Sequence, residues 1–201
     1  MKKAPLIIHN TNKTAISLDV WYPEAKGNYP VVIFAHGFKG FKDWGHFGLL
    51  MQQLVDNNMV VVKFNFSGNG TTPEFMTDFV DLEKFGNNNW SIELGDLNTV
   101  VDFVEDNIVH YHGDKNNINL IGHSRGGGIS ILQTAKDHRI KKLITWASVA
   151  SFDYFIDAID IQQWENDGVV YTYNGRTKQN MPLYYQLYED YIKNKSNLNI
   201  L

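Results

Sequence analysis

The apolar residues of this chain fall into short continuous runs separated by stretches with helical spacing, and that alternation is its most informative feature. Residues 6–10 and 14–22 are β-type runs joined by Thr11-Asn12-Lys13, which predicts a hairpin. Residues 31–35 follow Pro30 as an unbroken apolar run, the mark of a strand buried on both faces. Phe47, Leu50, Met51, Leu54 and Val55 then recur at helical spacing, with Asp43 placed to cap. A second buried strand is predicted over 59–66. A long helix is predicted over 91–108, with Ser91 as cap and Leu94, Leu97, Val101, Val104 and Ile108 on its buried face. A third strand over 118–122, a helix over 125–136 and a fourth strand over 143–147 complete the series. Strands alternating with helices predict an α/β fold, an open and mainly parallel sheet with helices on both faces. Ligands of such sheets bind at the carboxyl ends of the strands.

The pattern changes after residue 150. Aromatic residues crowd into 152–193, among them Phe152, Phe155, Trp164, Tyr171, Tyr173 and Tyr188. Residues 169–173, then Asn174-Gly175, then Arg176-Thr177 read as a hairpin with a type I′ turn. Asn180, Met181 and Pro182 are expected to open a helix with Leu183, Tyr184, Leu187, Tyr188 and Tyr191 on one face. The simplest role for these aromatics is to pack the segment onto the sheet.

Composition narrows the chemistry. The 201 residues carry a formal charge of −4, with no basic stripe for nucleic acid and no polybasic membrane anchor. The absence of cysteine excludes disulfides, thiolate zinc sites and a cysteine nucleophile. No apolar run approaches the roughly 18 residues that a membrane span needs. Behind Lys2 and Lys3 the apolar run is far short of a signal-peptide core, so a cytoplasmic location is expected.

Two motifs sit where a site should be. Gly122-His123-Ser124-Arg125-Gly126 closes an apolar strand and opens a helix, the context of a nucleophile elbow. The small residues Gly122 and Gly126 relieve crowding around a strained serine. The second motif, His36-Gly37-Phe38-Lys39-Gly40, follows the first parallel strand. Acyl transfer needs two donors aimed at a tetrahedral oxyanion. In an elbow arrangement these are the amide after the serine, here Arg125, and one from the loop after that strand, here Phe38. His36 is placed to brace the loop, and the sharp turn should aim His123 away from Ser124. Gly68 and Gly70 faintly suggest a dinucleotide loop, but the third glycine is missing and Pro73 stands in its place. His110 and His112 alternate before the third strand, with too few neighbours for a metal site. No cofactor and no metal are expected.

These motifs resemble the bacterial α/β-hydrolases related to dienelactone hydrolases and S9-type peptidases. The likeness runs through residues 34–45, through Asn65-Phe66-Ser67-Gly68-Asn69-Gly70, through the elbow, and into Trp146-Ala147-Ser148. The resemblance implies an α/β-hydrolase core over 1–150 and a lid over 151–201 whose aromatics bind an apolar or aromatic acyl group. It also implies serine-dependent hydrolysis of a small ester, thioester or amide without cofactor. Ser124 carries over as nucleophile, with the Phe38 and Arg125 amides as oxyanion donors.

The serine needs a histidine base oriented by a carboxylate, in the chain order serine, acid, histidine. Only His138 follows Ser124, in a loop expected to open at the opposite edge of the sheet. Asp153, just past the fourth strand, occupies a position where some α/β-hydrolases keep their acid. The family pattern places acid and histidine on two further strands, so the sequence reads as truncated and its general base as absent. The corresponding alternative is an impaired homologue that acts as a binding module. The fourth strand would then be an apolar edge, which invites self-association.

Overall fold

A computed structural model describes residues 1–200 of the chain; Leu201, the last residue of the expected lid, lies outside the described residues. Six strands form one sheet: β1 (Lys2–His9), β2 (Ala15–Tyr22), β3 (Tyr29–Ala35), β4 (Val60–Phe64), β5 (Gly113–His123) and β6 (Ile140–Trp146). Their spatial order is β1-β2-β4-β3-β5-β6. The β1–β2 hairpin and the β2–β4 pair are antiparallel, and β4, β3, β5 and β6 run parallel. The antiparallel ribbon is thus attached to a doubly covered parallel sheet, as the hydrophobic runs predict.

The two faces are covered by different helices. On one face, Phe47, Met51 and Val55 of α1 (Phe47–Asp56) pack against Trp21, Val32, Phe34, Val61 and Ile121. On the other, α3 (Trp90–Asn107) and α4 (Arg125–Lys136) bury Leu97, Val100, Val104, Ile129 and Leu132 against Ile16, Leu18, Val20, Ile33 and Val62. The segment beyond residue 150 joins this second core through Phe152, Trp164, Met181, Leu187 and Tyr191, so part of its aromatic content serves packing. Tyr154, Tyr171 and Tyr173 stay exposed.

Three local expectations are corrected. Asp43 does not cap α1, whose N-cap is His46 without a side-chain bond. Its carboxylate is instead taken by the buried lysines Lys42 and Lys63. Ser91 does not cap α3; Asn89 does, accepting from the Ile92 amide at 2.8 Å. That bond starts the helix one residue earlier. The second hairpin joins β7 (Val169–Asn174) to β8 (Gln179–Tyr184), so Asn180, Met181 and Pro182 are strand and not helix. Asn174 ends β7, its Oδ1 accepts from the Arg176 amide at 3.2 Å, and Lys178 supplies the positive φ of a longer loop. Pro182 is tolerated because a two-stranded ribbon has only edge strands. Helix α7 (Gln186–Asn194) follows. The remaining helices are α2 (Leu82–Gly86), α5 (Asp153–Asp157) and α6 (Ile161–Asp167).

Among the described residues β6 pairs on one side only, with Ile144 and Trp146 of its apolar sequence exposed. No helix of the described residues is long and apolar enough to cross a membrane.

Candidate active site

β5 ends at His123 and α4 begins at Arg125, which leaves Ser124 alone in the turn between them. Its backbone takes φ 53° and ψ −122°, a conformation that costs a residue bearing a side chain on the order of 1–3 kcal/mol. Neighbouring chain over-determines it. The Ser124 amide donates to the Trp146 carbonyl at 3.0 Å, and the Ser124 carbonyl accepts from Gly127 at 2.9 Å and Val149 at 3.2 Å. Close packing dictates the flanking residue: a Cβ on Gly126 would lie 2.2 Å from the His36 carbonyl oxygen. The tight strand-to-helix turn expected from sequence is therefore present, and it abuts the loop after β3.

That loop carries a second unpaired amide. The amides of Phe38 and Arg125 have no hydrogen-bond acceptor among the described residues. Arg125 opens α4, so its free N–H adds to the positive end of the helix dipole. Gly37 comes so near the serine that a Cβ on it would stand 2.9 Å from the Ser124 Cβ. Two unpaired amides on segments in contact at the serine are suited to hold a developing oxyanion.

The loop is fixed from four sides. His36 is buried; its Nδ1 donates to the Gly37 carbonyl at 2.9 Å and its Nε2 accepts from the Phe66 amide at 3.2 Å. This pair of bonds requires the neutral ring with its proton on Nδ1. Burial pushes the pKa of His36 down to about 4, which keeps the ring neutral near pH 7. From below, Asn65 Oδ1 accepts from the Lys42 amide at 2.6 Å, and Asn69 Nδ2 donates to the Gly40 carbonyl at 3.2 Å. From the far side, Lys42 and Lys63 share Asp19 and Asp43, with Lys42 Nζ 2.6 Å from Asp19. Burial would raise the pKa of Asp43, but the bonds from Lys42 and Lys63 outweigh it and hold the carboxyl below its ordinary value. From above, Lys39 Nζ donates to the Tyr173 carbonyl at 3.0 Å, and Arg176 donates to the Lys39 carbonyl at 3.0 Å. The Arg176 guanidinium also stacks on the Trp44 ring. The β7–β8 hairpin is thereby strapped onto the loop after β3.

The other candidate side chains make no bond to Ser124. The His123 ring packs against Phe47 and Trp146, at 5.3 and 5.5 Å between centroids, on the α1 face. Burial lowers its pKa. Asp153 is exposed; it accepts from the Ser151 hydroxyl at 2.7 Å and faces Lys195, with no bond to Ser124 or to a histidine. His138 lines a cleft with Asn98, Asp137 and Arg139 beyond the far end of α4, about 18 Å along the helix from the serine by its rise per residue. No histidine among the described residues bonds to Ser124. No group of three or more His, Asp or Glu among them is arranged to hold a metal.

Sequence reasoning missed the buried charges. Arg125 Nε donates to Glu93 at 2.8 Å, Glu93 accepts from Asn88 at 2.8 Å, and the guanidinium lies between the Phe38 and Trp90 rings. Asp96, fully buried, accepts from Asn10 and from the Ser67 amide, both at 2.7 Å. A signal for both was available: Glu93 precedes Leu97 by four residues and Asp96 precedes Val100 by four, on the buried stripe of α3.

A model of the carboxylesterase family matches residues 9–181, a span that includes Ser124 and the loop after β3. The chain belongs to the carboxylesterase family. Curated relatives of this carboxylesterase-family chain include glutactin of Drosophila melanogaster, 25% identical over 145 residues, and a probable isoprenylcysteine alpha-carbonyl methylesterase of Arabidopsis thaliana, 28% identical over 146. The matches cover 71% and 69% of the chain but only 13% and 27% of those proteins. Among solved structures, a putative hydrolase from Agrobacterium vitis aligns over 98% of this chain and 73% of its own, with a TM-score of 0.75 at 16% identity. Brefeldin A esterase, a bacterial homologue of human hormone-sensitive lipase, aligns over 82% and 44%, with a TM-score of 0.58 at 19% identity. These likenesses establish the α/β-hydrolase fold. The narrower resemblance to dienelactone hydrolases and S9-type peptidases rests on the motifs quoted from the sequence.

Proposed function

We propose that this chain supplies the nucleophile and oxyanion hole of a serine carboxylesterase acting on small esters. The single observation behind this is the meeting of the strained Ser124 with two acceptor-free amides, Phe38 and Arg125, across the contact with Gly37. Ser124 Oγ adds to the ester carbonyl, and its proton passes to the departing alkoxide as the carbonyl–alkoxy bond breaks. Water then cleaves the acyl-serine and releases the acid. The two amides hold the negative oxygen in each tetrahedral intermediate, aided by the N-terminus of α4. His36 holds the loop and is neutral, with both ring nitrogens engaged. No base is assigned, because no described histidine reaches Ser124. On this reading residues 151–200 form a lid: the Phe155 ring lies 5.3 Å from that of Phe38, and an acyl group would meet the segment there.

Hydrolysis of p-nitrophenyl acetate and butyrate by the protein and by Ser124→Ala tests this. An oxyanion hole and binding without a complete triad give roughly 10³–10⁴-fold over water. A rate of that order, lost in the alanine variant, supports the proposal. Equal rates in both proteins would remove the nucleophile and favour a binding role for the same fold.

A further inference from the structure

We infer that the buried Glu93–Arg125 pair is a positioning device that locks the two oxyanion donors to each other and to α3. This rests on the proposed role of the Phe38 and Arg125 amides.

Arg125 has two attachments. Its backbone amide faces the site, and its side chain runs the other way into the core, where it is 5% exposed. The guanidinium makes one hydrogen bond among the described residues, from Nε to Glu93; its Nη2 is buried without a partner there. The remaining contact is aromatic. The guanidinium carbon lies 5.2 Å from the centroid of the Phe38 ring and 5.1 Å from that of Trp90. The side chain of one donor residue is therefore the platform for the side chain of the other. Phe38 is held on its remaining sides by Phe85 and Phe155.

Glu93 is itself fixed. Its other oxygen accepts from Asn88, whose amide is wedged against the loop after β4: a Cβ on Gly68 would stand 2.4 Å from Asn88 Oδ1. A continuous chain of contacts thus runs from that loop through Asn88 and Glu93 to Arg125 and Phe38. A desolvated ion pair contributes little net stability compared with apolar groups of similar shape. What it does supply is direction. A single charge-assisted bond orients a planar cation, and the plane sets where the Phe38 ring and its backbone rest.

The test compares Glu93→Gln, Arg125→Lys, and the double variant Glu93→Leu/Arg125→Met, which replaces the pair by apolar groups. Two readouts are taken on each: kcat and KM for p-nitrophenyl butyrate, and the ¹⁵N order parameters of the Phe38 and Arg125 amides in the free protein. The expected result is a fall in kcat of about tenfold or more with KM within about twofold, because the donors are needed in the transition state. The amide order parameters should fall with it. The double variant should regain the wild-type melting temperature without regaining kcat. If the double variant keeps wild-type kcat and rigid amides, the pair is only structural and the inference is wrong. If the wild-type protein shows no Ser124-dependent turnover, the proposed function fails, and the order parameters still decide for or against the clamp.

Discussion

Gly37 and Ser124 are in contact across the candidate site, so close that a methyl group on Gly37 would lie 2.9 Å from the Ser124 Cβ and 3.2 Å from the His123 carbonyl oxygen. The loop after β3 and the turn at Ser124 are therefore set against each other directly.

Gly37→Ala should push the two segments apart. Overpacking of this kind costs on the order of 1–3 kcal/mol, and a displaced donor should slow acylation of Ser124 by about tenfold or more. Gly126→Ala meets backbone oxygen at 2.2 Å and should cost more stability than Gly37→Ala. Urea titrations of the two variants, beside ester hydrolysis, check both statements. Wild-type rates in Gly37→Ala would show that the loop yields without consequence.

Asp96 predicts a specific pH dependence. Burial raises its pKa from 3.8 to about 6, against the lowering effect of the bonds from Asn10 and Ser67. The folded protein therefore binds a proton near pH 6 that the unfolded chain does not bind until near pH 4. Between those values stability falls as pH rises, and above about 6 the full penalty, on the order of 3 kcal/mol, is present. Asp96→Asn should remove this slope. Chemical denaturation at intervals from pH 4 to 7 measures it, and identical slopes in the two proteins would refute the assignment.

Lys63 lies inside the apolar run of β4 with its side chain buried, over the Trp21 ring and bonded to Asp43. Lys63→Met removes one of two cations from a network of two lysines and two aspartates. Loss of one partner from a buried pair costs roughly 3–5 kcal/mol. A denaturation midpoint unchanged within error would show that Lys42 alone neutralises both carboxylates.

The parallel sheet was legible because its strands are continuous apolar runs, and a run such as Val31-Val32-Ile33-Phe34-Ala35 has no other comfortable place. Ser124 and the loop at Gly37 were legible because their chemistry is local, carried by a few adjacent residues at strand ends. The caps were misread because Asn89 and Ser91 are both good caps, and the choice between them depends on Asp190 of α7, which accepts from the Ser91 amide. The β7–β8 hairpin was misread because Asn174-Gly175 is a strong local turn signal. The register that places Asn174 opposite Gln179 comes from burial of Met181 and Leu183, which lie beyond the turn signal in sequence. Partners of Glu93 and Asp96 were invisible for a similar reason: periodicity shows that both face inward, but Arg125, Asn10 and Ser67 are brought to them by the fold.

Among the described residues β6 is unpaired on its outer side, with Ile144 and Trp146 partly exposed on the α1 face beside it, and we propose that this edge mediates self-association of the chain. Exposed apolar edges pair with other strands unless charge interrupts them. Ile144→Lys should raise the monomer fraction in light scattering over a concentration series. A monodisperse monomer for the unaltered chain would contradict the proposal.

We propose that Ser124 is a nucleophile seated in a working oxyanion hole. The most direct measurement is reaction with a fluorophosphonate, followed by intact mass and peptide mapping. A single adduct is predicted on the peptide containing Gly122-His123-Ser124-Arg125-Gly126, formed more slowly in Gly37→Ala and absent from Ser124→Ala. An adduct on another residue, or none with the protein folded, would contradict it.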